Sequence, residues 1–506
     1  MQNLTPSRRW AALFALLLGV LVVGLDVTIL NVALPTLAVD LDASTAELQW
    51  IVDAFIVVLA SMLLPAGLLG DRLGRKKVLL TGLAVLLVAC AAATAADDVA
   101  VLIAARALMG VGAAVVLPVS MAVVPGMFSG AERTRAVAAL AAGMAVGLPL
   151  GPLLGGWLLE HYWWGSVFLI NIPLILVGLV AVALLLPETT DRNAPRIQPL
   201  PTSFAVIGLA ALVHGLIEAP SDGWLSVSTL AGGLIGLLLL ALFIVSQLRA
   251  AEPMVDLALF RARSFRWGSI VATAASLVLM GSLFLIPQYL QVVEGHTALG
   301  TGLRLLPMIG GIMVGGLASE RLAARLGYRL TVAGGLGLLA AGSLIAMATG
   351  PDTGYGLAAV WLAVLGAGLG LSLVPATDAV LGSLPLRRAA IGSALMQTLR
   401  QTGGAIGVAV FGSLSSTVYL QRLELPALPP EAERAAEDSV ASAAAVGEPG
   451  VAQAAFSAFT DAMAVVFLVS AVLAGAVQAA TVLKFPRRIE PAEEEAQSQH
   501  EQTRTA

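Results

Sequence analysis

Five ionisable side chains stand inside long runs of apolar residues: Asp26, Asp53, Arg106, Glu218 and Arg400. A charged group deep in an apolar medium costs about 2.5–3.5 kcal/mol or more, so each position needs a reason. Opposite charges offset that cost by pairing, and a group in which acids outnumber bases can also hold a proton. Asp26, Asp53 and Glu218 with Arg106 have that composition. Release of a bound proton could then be linked to the arrival of a positively charged molecule. Plainer readings stand beside this one. Asp26 could cap a broken helix, and Asp53 could be a first-turn carboxylate favoured by the helix dipole. Arg400 is expected to pair with an acid or with backbone carbonyls.

Other chemistries find little support. Cys90 is the only cysteine, which excludes a disulfide framework or a thiolate metal site, and it reads as small filler. The histidines His161, His214, His296 and His500 have no ligand-like spacing. No Ser/His/Asp set stands out, so the chain is not expected to be an enzyme, and neither a metal nor a cofactor is expected.

The elements that carry these side chains follow from composition. Hydrophobic residues make up 58% of the 506 and charged residues 12%, with a mean hydropathy of +0.91. A soluble chain carries about 25% charge, and a single core stops growing near ~250–300 residues, so lipid must be the solvent. Spanning a bilayer of ~30 Å takes about 20 apolar residues as helix. Runs of that kind fall near 10–33, 48–69, 78–96, 99–124, 136–158, 166–186, 202–219 and 227–248. Others fall near 267–290, 301–319, 329–349, 356–382, 391–416 and 459–482. That makes fourteen. The first run follows Arg8 and Arg9 but has no small-residue cleavage site, so it is expected to be a retained helix rather than a leader.

Charge placement gives the orientation. With the first end inside, the inner loops collect Arg72, Arg75, Lys76, Lys77, Arg133, Arg135, Arg192, Arg196, Arg249, Arg321, Arg325, Arg329, Arg387, Arg388, Lys484, Arg487, Arg488 and Arg504, among others. The outer loops carry acids instead, including Asp40, Asp42, Glu47, Asp97, Asp98, Asp222 and Glu294. By the positive-inside rule both ends are expected in the cytoplasm. At 1.5 Å per residue, Asp26 lies about 6 Å, Asp53 about 8 Å and Arg106 about 10 Å below the outer edge. Glu218 comes to about the height of Asp26, on a helix that could stand outside the core. Arg400 falls near the middle. Asp378 reads as an inner-surface group, and Trp50, Trp157, Trp163 and Trp164 as interface residues. Residues 417–458 form a long outer loop, and 489–506 a polar tail.

Three motifs concern packing and turns. In Gly67-Leu-Leu-Gly70-Asp71-Arg72-Leu-Gly74-Arg75-Lys76-Lys77 the glycines permit a tight turn and close helix approach, and Asp71 can pair with neighbouring bases. The cations could equally serve topology alone. A weaker echo, Gly315 to Arg329, follows about 250 residues later, as parallel repeats would leave it. Gly143, Gly147, Gly151-Pro152 and Gly155-Gly156 give one flat helix face with a bend.

These runs resemble motifs of the major facilitator superfamily, in particular its fourteen-helix drug:proton antiporters. The Gly67–Lys77 run resembles the superfamily's signature loop, in which the positions of Asp71 and Arg72 help latch the inner gate. Leu25-Asp26-Val27-Thr28-Ile29-Leu30-Asn31 through Pro35 resembles the first-helix motif of that family. Leu102 to Gly112, with Arg106, resembles the fourth-helix motif linked to proton coupling, although Met109 stands where a polar Gln is frequent. Gly147, Gly151, Pro152, Gly155 and Gly156 resemble the antiporter motif, which marks exporters. The second half matches chiefly by helix plan and by Arg400-Gln401-Thr402-Gly403-Gly404.

The resemblance implies an all-α polytopic fold of two six-helix halves, 10–186 and 267–482. A linker with two inserted helices (187–266) lies between them, and a cytoplasmic tail (483–506) follows. It implies a proton-coupled exporter of lipophilic, cationic drugs or antibiotics in a bacterial inner membrane, with Asp26, Arg106, Asp53 and Glu218 as coupling residues and no nucleic-acid partner. Export of one dedicated metabolite or lipid is the alternative. Uptake symport is disfavoured by the Gly-Pro motif and by the lack of an intramembrane basic cluster.

Overall fold

A computed structural model describes residues 5–191, 197–384, 389–448 and 450–487. Arg192, Arg196, Arg387, Arg388, Arg488, Arg504 and His500, with the tail 489–506, lie outside the described residues. Among the described residues fourteen helices are long and apolar enough to cross a bilayer, the number the apolar runs predict. They are α1 (Ser7–Asp40), α2 (Thr45–Leu73), α3 (Arg75–Thr94), α4 (Val99–Met127), α5 (Gly130–His161), α6 (Ser166–Leu185) and α7 (Pro199–Ile217). The others are α8 (Val227–Arg249), α9 (Arg263–Val293), α10 (Ala298–Leu326), α11 (Tyr328–Ala346), α12 (Tyr355–Gly382), α13 (Ile391–Arg422) and α14 (Val451–Lys484). No strand occurs among the described residues.

Local chemistry sets the ends. Ser44 and Glu47 form a reciprocal capping box at α2, with the Ser44 backbone N–H donating to Glu47 Oε2 at 2.9 Å. Asp98 caps α4 by accepting the Ala100 N–H at 2.6 Å. Gly74 (φ 114°) separates α2 from α3, and Gly327 (φ 83°) separates α10 from α11. Both angles are ones that only glycine adopts freely.

Several helices overrun their apolar stretches. α13 continues to Arg422 and α14 begins at Val451, inside the stretch expected as loop. Polar, alanine-rich sequence still favours helix once the chain has left the hydrocarbon. The connection between them holds two short helices, Pro430–Asp438 and Val440–Ala445. It is folded back on the helix ends. Tyr419 Oη donates to Ala436 O at 2.7 Å, and Thr45 Oγ1 donates to Asp438 O at 2.8 Å.

The chain forms two compact units. The first comprises Met1–Met254, Gly281–Arg304 and Val408–Ala462. Within it α1 packs on α5, α2 and α3 on α4, and α7 on α8. The second comprises Val255–Met280, Leu305–Gly407 and Met463–Ala506. There α10 and α11 both pack on α12, and the buried Trp361 ring lies 5.3 Å from that of Phe467.

α1 and α5 approach each other backbone to backbone. A Cβ on Gly147 would stand 2.7 Å from the Gly24 carbonyl carbon, and one on Gly24 would stand 2.7 Å from Met144 O. Gly147→Ala should therefore push two helices apart and cost about 1–3 kcal/mol, outweighing alanine's better helix propensity. Gly334→Ala meets nothing within 4 Å and should be neutral or stabilising. Melting temperatures of the detergent-purified variants test this, and equal behaviour of the two would refute the packing argument.

Candidate functional site

The site begins with a missing donor. Pro152 has no N–H, so the Leu148 carbonyl one turn earlier loses its helical partner. Thr28 Oγ1 on α1 donates to that carbonyl at 2.9 Å. One turn along, a Cβ on Gly151 would lie 2.9 Å from both Leu25 O and Ile29 N, and Gly155 lies against Ile29. The antiporter-type glycines thus seat α5 on the stretch of α1 that carries Asp26, and they fix its rotation. Gly156 continues the row against Ala298 and Leu299, where a Cβ would come within 2.5 Å of Ala298 O.

From α4, the Arg106 guanidinium meets Asp26 as an ion pair, Nη1 donating to Oδ2, and both residues are 1% exposed. Arg106 Nε donates to the Ile51 carbonyl of α2 at 3.0 Å. The guanidinium carbon lies 4.5 Å from the centre of the Phe55 ring and 6.0 Å from that of Phe168 on α6. Gly110 allows this approach, since a Cβ there would be 2.7 Å from Phe55 O. Met109, in place of the frequent Gln, brings its sulfur to 3.9 Å from Arg106 Nη1. A planar cation is held on its edge by a carboxylate and a carbonyl, and on its face by an aromatic ring.

The other predicted residues are placed differently. Asp53 is fully buried, and neither carboxylate oxygen has a hydrogen-bond partner among the described residues. It shares a face of α2 with Gln49, four residues earlier, and not with Phe55, two residues later. Gln49 Nε2 donates to Val408 O and Ala409 O, both at 3.1 Å, so this face of α2 meets α13. Glu218 lies at the end of α7, 3.8 Å from His214 Nδ1, with no contact to Arg106. Asn31 is buried and donates only to Val27 O, at 3.4 Å.

Arg400 corrects an expectation. Its Nε is 3.4 Å from Ser276 Oγ, and no acid pairs with it among the described residues. The α9 stretch facing it is built of Thr273, Ser276 and Leu277, which offers hydroxyls rather than carboxylates. Trp164 is likewise 8% exposed and packs edge-on to Phe168 at 6.5 Å, whereas Trp157 and Trp163 are exposed.

In the signature loop, Gly67 rests on Pro118 and Gly70 on Val119, so both serve contact between α2 and α4. Asp71 pairs with Arg75, 2.7 Å from Nη2, while Arg72 is exposed. Sequence reasoning missed Glu188, which follows α6 and accepts the backbone N–H groups of Lys76 and Lys77 at 3.1 and 3.2 Å. It also missed Thr28 and Phe55. A signal existed for Thr28, because a proline always frees the carbonyl four residues before it. None existed for the other two.

Comparison with known proteins agrees with this geometry. The family model described as Major Facilitator Superfamily matches residues 16–408. The multidrug efflux pump LfrA of Mycolicibacterium smegmatis is 36% identical over 87% of this chain and 88% of its own length. The tetracenomycin C resistance and export protein of Streptomyces glaucescens is 33% identical over 96% and 93%. The methyl viologen resistance protein SmvA of Salmonella typhimurium is 36% identical over 83% and 85%. Among solved structures, a bacterial homolog of the human lysosomal transporter Spinster superposes with a TM-score of 0.66, covering 96% of this chain and 100% of that one. At 18% identity this likeness concerns the fold.

Removing one member of a buried pair leaves the other charge uncompensated, at a cost of about 3–5 kcal/mol. Arg106→Ala should therefore lower the melting temperature of the purified protein markedly. Arg106→Lys should lower it less, because Lys keeps the charge but cannot serve Asp26 and Ile51 O together. Thermal stabilities of both variants equal to wild type would contradict the pairing.

Proposed function

Because the chain belongs to the Major Facilitator Superfamily, as a multi-pass, all-α membrane transporter, we propose that it exports lipophilic, mostly cationic drugs or antibiotics in exchange for protons. The observation that carries the coupling is the buried Asp26–Arg106 pair on helices locked by the α5 glycines. A proton reaching Asp26 makes the carboxyl neutral and releases Arg106. Loss of that proton restores the pair. Asp53 supplies a second buried carboxyl without a cation of its own, which suits it to hold a proton while a cationic substrate is absent. Glu218, half-exposed beside His214, is the weakest member of the set.

The relatives' names support the substrate class, since efflux and export stand in two of them, and methyl viologen in the third is an organic dication. Tetracenomycin in one name favours a second reading, export of a single dedicated compound. The chain is assigned to a bacterial plasma membrane with both ends cytoplasmic, from its basic residues. The proposed halves are 10–186 and 267–482, with α7 and α8 inserted between them.

Purified protein in liposomes, with an imposed pH gradient and several fluorescent cations including ethidium, tests this reading. The wild type should move more than one dye uphill. Asp26→Asn should bind ethidium yet lose gradient-driven transport, and Asp53→Asn should lose part of it. Uphill transport by Asp26→Asn at the wild-type rate would remove Asp26 from the coupling.

Orientation is tested in intact cells by an impermeant thiol reagent, in a Cys90→Ala background. Ser221→Cys should react and Ala131→Cys should not, and the reverse pattern would invert the topology.

A further inference from the structure

We infer that Glu188 is the positioning residue of the signature turn, locking the start of α3 and the Asp71–Arg75 pair to the end of α6. The inference rests on the export reading for its functional meaning, and on geometry for the lock itself.

The first N–H groups of any helix lack an intrahelical acceptor. At α3 those of Lys76 and Lys77 are satisfied by the two oxygens of Glu188, at 3.1 and 3.2 Å, and Oε1 also accepts the Thr189 N–H at 3.0 Å. A carboxylate here also faces the positive end of the helix dipole. Two backbone bonds extend the contact: Arg75 N–H to Thr189 O at 2.9 Å, and Asp191 N–H to Asp71 O at 2.7 Å. Lys76 Nζ donates to Ala183 O at 2.6 Å. A Cβ on Gly74 would stand 2.6 Å from Glu188 Oε1, so the glycine is needed for close approach as well as for its φ of 114°. The residues that set the Asp71–Arg75 pair are therefore held from both sides of the turn by one short segment, 188–191.

The second unit repeats the backbone part of this device without the carboxylate. Gly327 has a φ of 83°, and the residue after it, Tyr328, donates its N–H to Arg487 O at 3.2 Å, just beyond α14. Tyr328 stands to Gly327 as Arg75 stands to Gly74, and Arg487 stands to α14 as Thr189 stands to α6. The position before Arg487, matching Glu188, is Pro486, and among the described residues no side-chain carboxylate accepts the first amides of α11. A backbone clamp is thus enough to hold such a turn folded. The added carboxylate in the first copy has another use, which is to fix the turn that bears the Asp71–Arg75 pair.

The test uses full-length protein in lipid nanodiscs for hydrogen exchange, and in liposomes for ethidium transport. Glu188→Ala should speed exchange at the Lys76 and Lys77 amides roughly tenfold or more, as loss of a charge-assisted bond predicts. It should lower the maximal rate of ethidium efflux several-fold while leaving KM within about twofold, because the turn does not touch substrate. Glu188→Gln keeps one acceptor oxygen and should recover part of both. Unchanged exchange would overturn the lock, and faster exchange with unchanged efflux would overturn the positioning role. A raised KM with an intact maximal rate would also count against it. Should the wild type carry no ethidium, the export reading fails, while the exchange comparison still decides the lock.

Discussion

A guanidinium and a carboxylate shut away from water tolerate very little misplacement. Coulomb attraction offsets their desolvation only when the geometry is good and the remaining donors and acceptors are filled. At Arg106 the remaining Nε–H reaches the Ile51 carbonyl, and the Phe55 ring covers the face. Those contacts require α1, α2 and α4 to meet within a few ångströms. Most of the packing in the first unit can be understood as meeting that requirement. Gly24 and Gly147 let α1 and α5 touch backbone to backbone, and Gly110 does the same for α4 and α2.

Proline enters the same construction by what it lacks. In lipid a freed carbonyl has no water to turn to, so each intrahelical proline demands a substitute donor nearby. Thr28 answers Pro152 across the α1–α5 contact. The bend in α5 and the rotation of α1 are then set by one bond two residues from Asp26. A proline whose donor comes from another helix ties that helix to the kink, so movement of one must alter the other.

Much of this was legible in the sequence, because lipid enforces a coarse code. Fourteen apolar runs could be counted, and rise per residue alone put Asp26 and Arg106 at similar depth. What depth cannot give is azimuth. Asp53 lies one turn from Gln49 on α2, on a different side from Phe55, and Glu218 sits against His214. Arg400 was expected to meet an acid or backbone carbonyls, and its Nε instead lies 3.4 Å from the Ser276 hydroxyl of α9. Partners supplied across helices are equally invisible. Glu188 lies more than a hundred residues from the amides it caps, so no local capping pattern could announce it.

The two positive-φ glycines show how a repeated fold becomes asymmetric. A helix-to-helix reversal at Gly74 or Gly327 leaves unsatisfied amides at the start of the next helix, and a chain end passing nearby can satisfy them with carbonyls. That solution needs no particular side chain, so it can persist in both copies while the sequence around it changes. Side chains are then free to specialise. At Gly74 the surroundings are Asp71, Arg75 and Glu188, charged groups whose mutual distances the turn controls. At Gly327 they are Tyr328 and Arg329, whose donors reach the carbonyls of Arg487 and Phe485, with Glu320 and Asp378 beside Tyr328. Two positive-φ turns of the same kind therefore have their first amides met by a carboxylate at Gly74 and by a backbone carbonyl at Gly327.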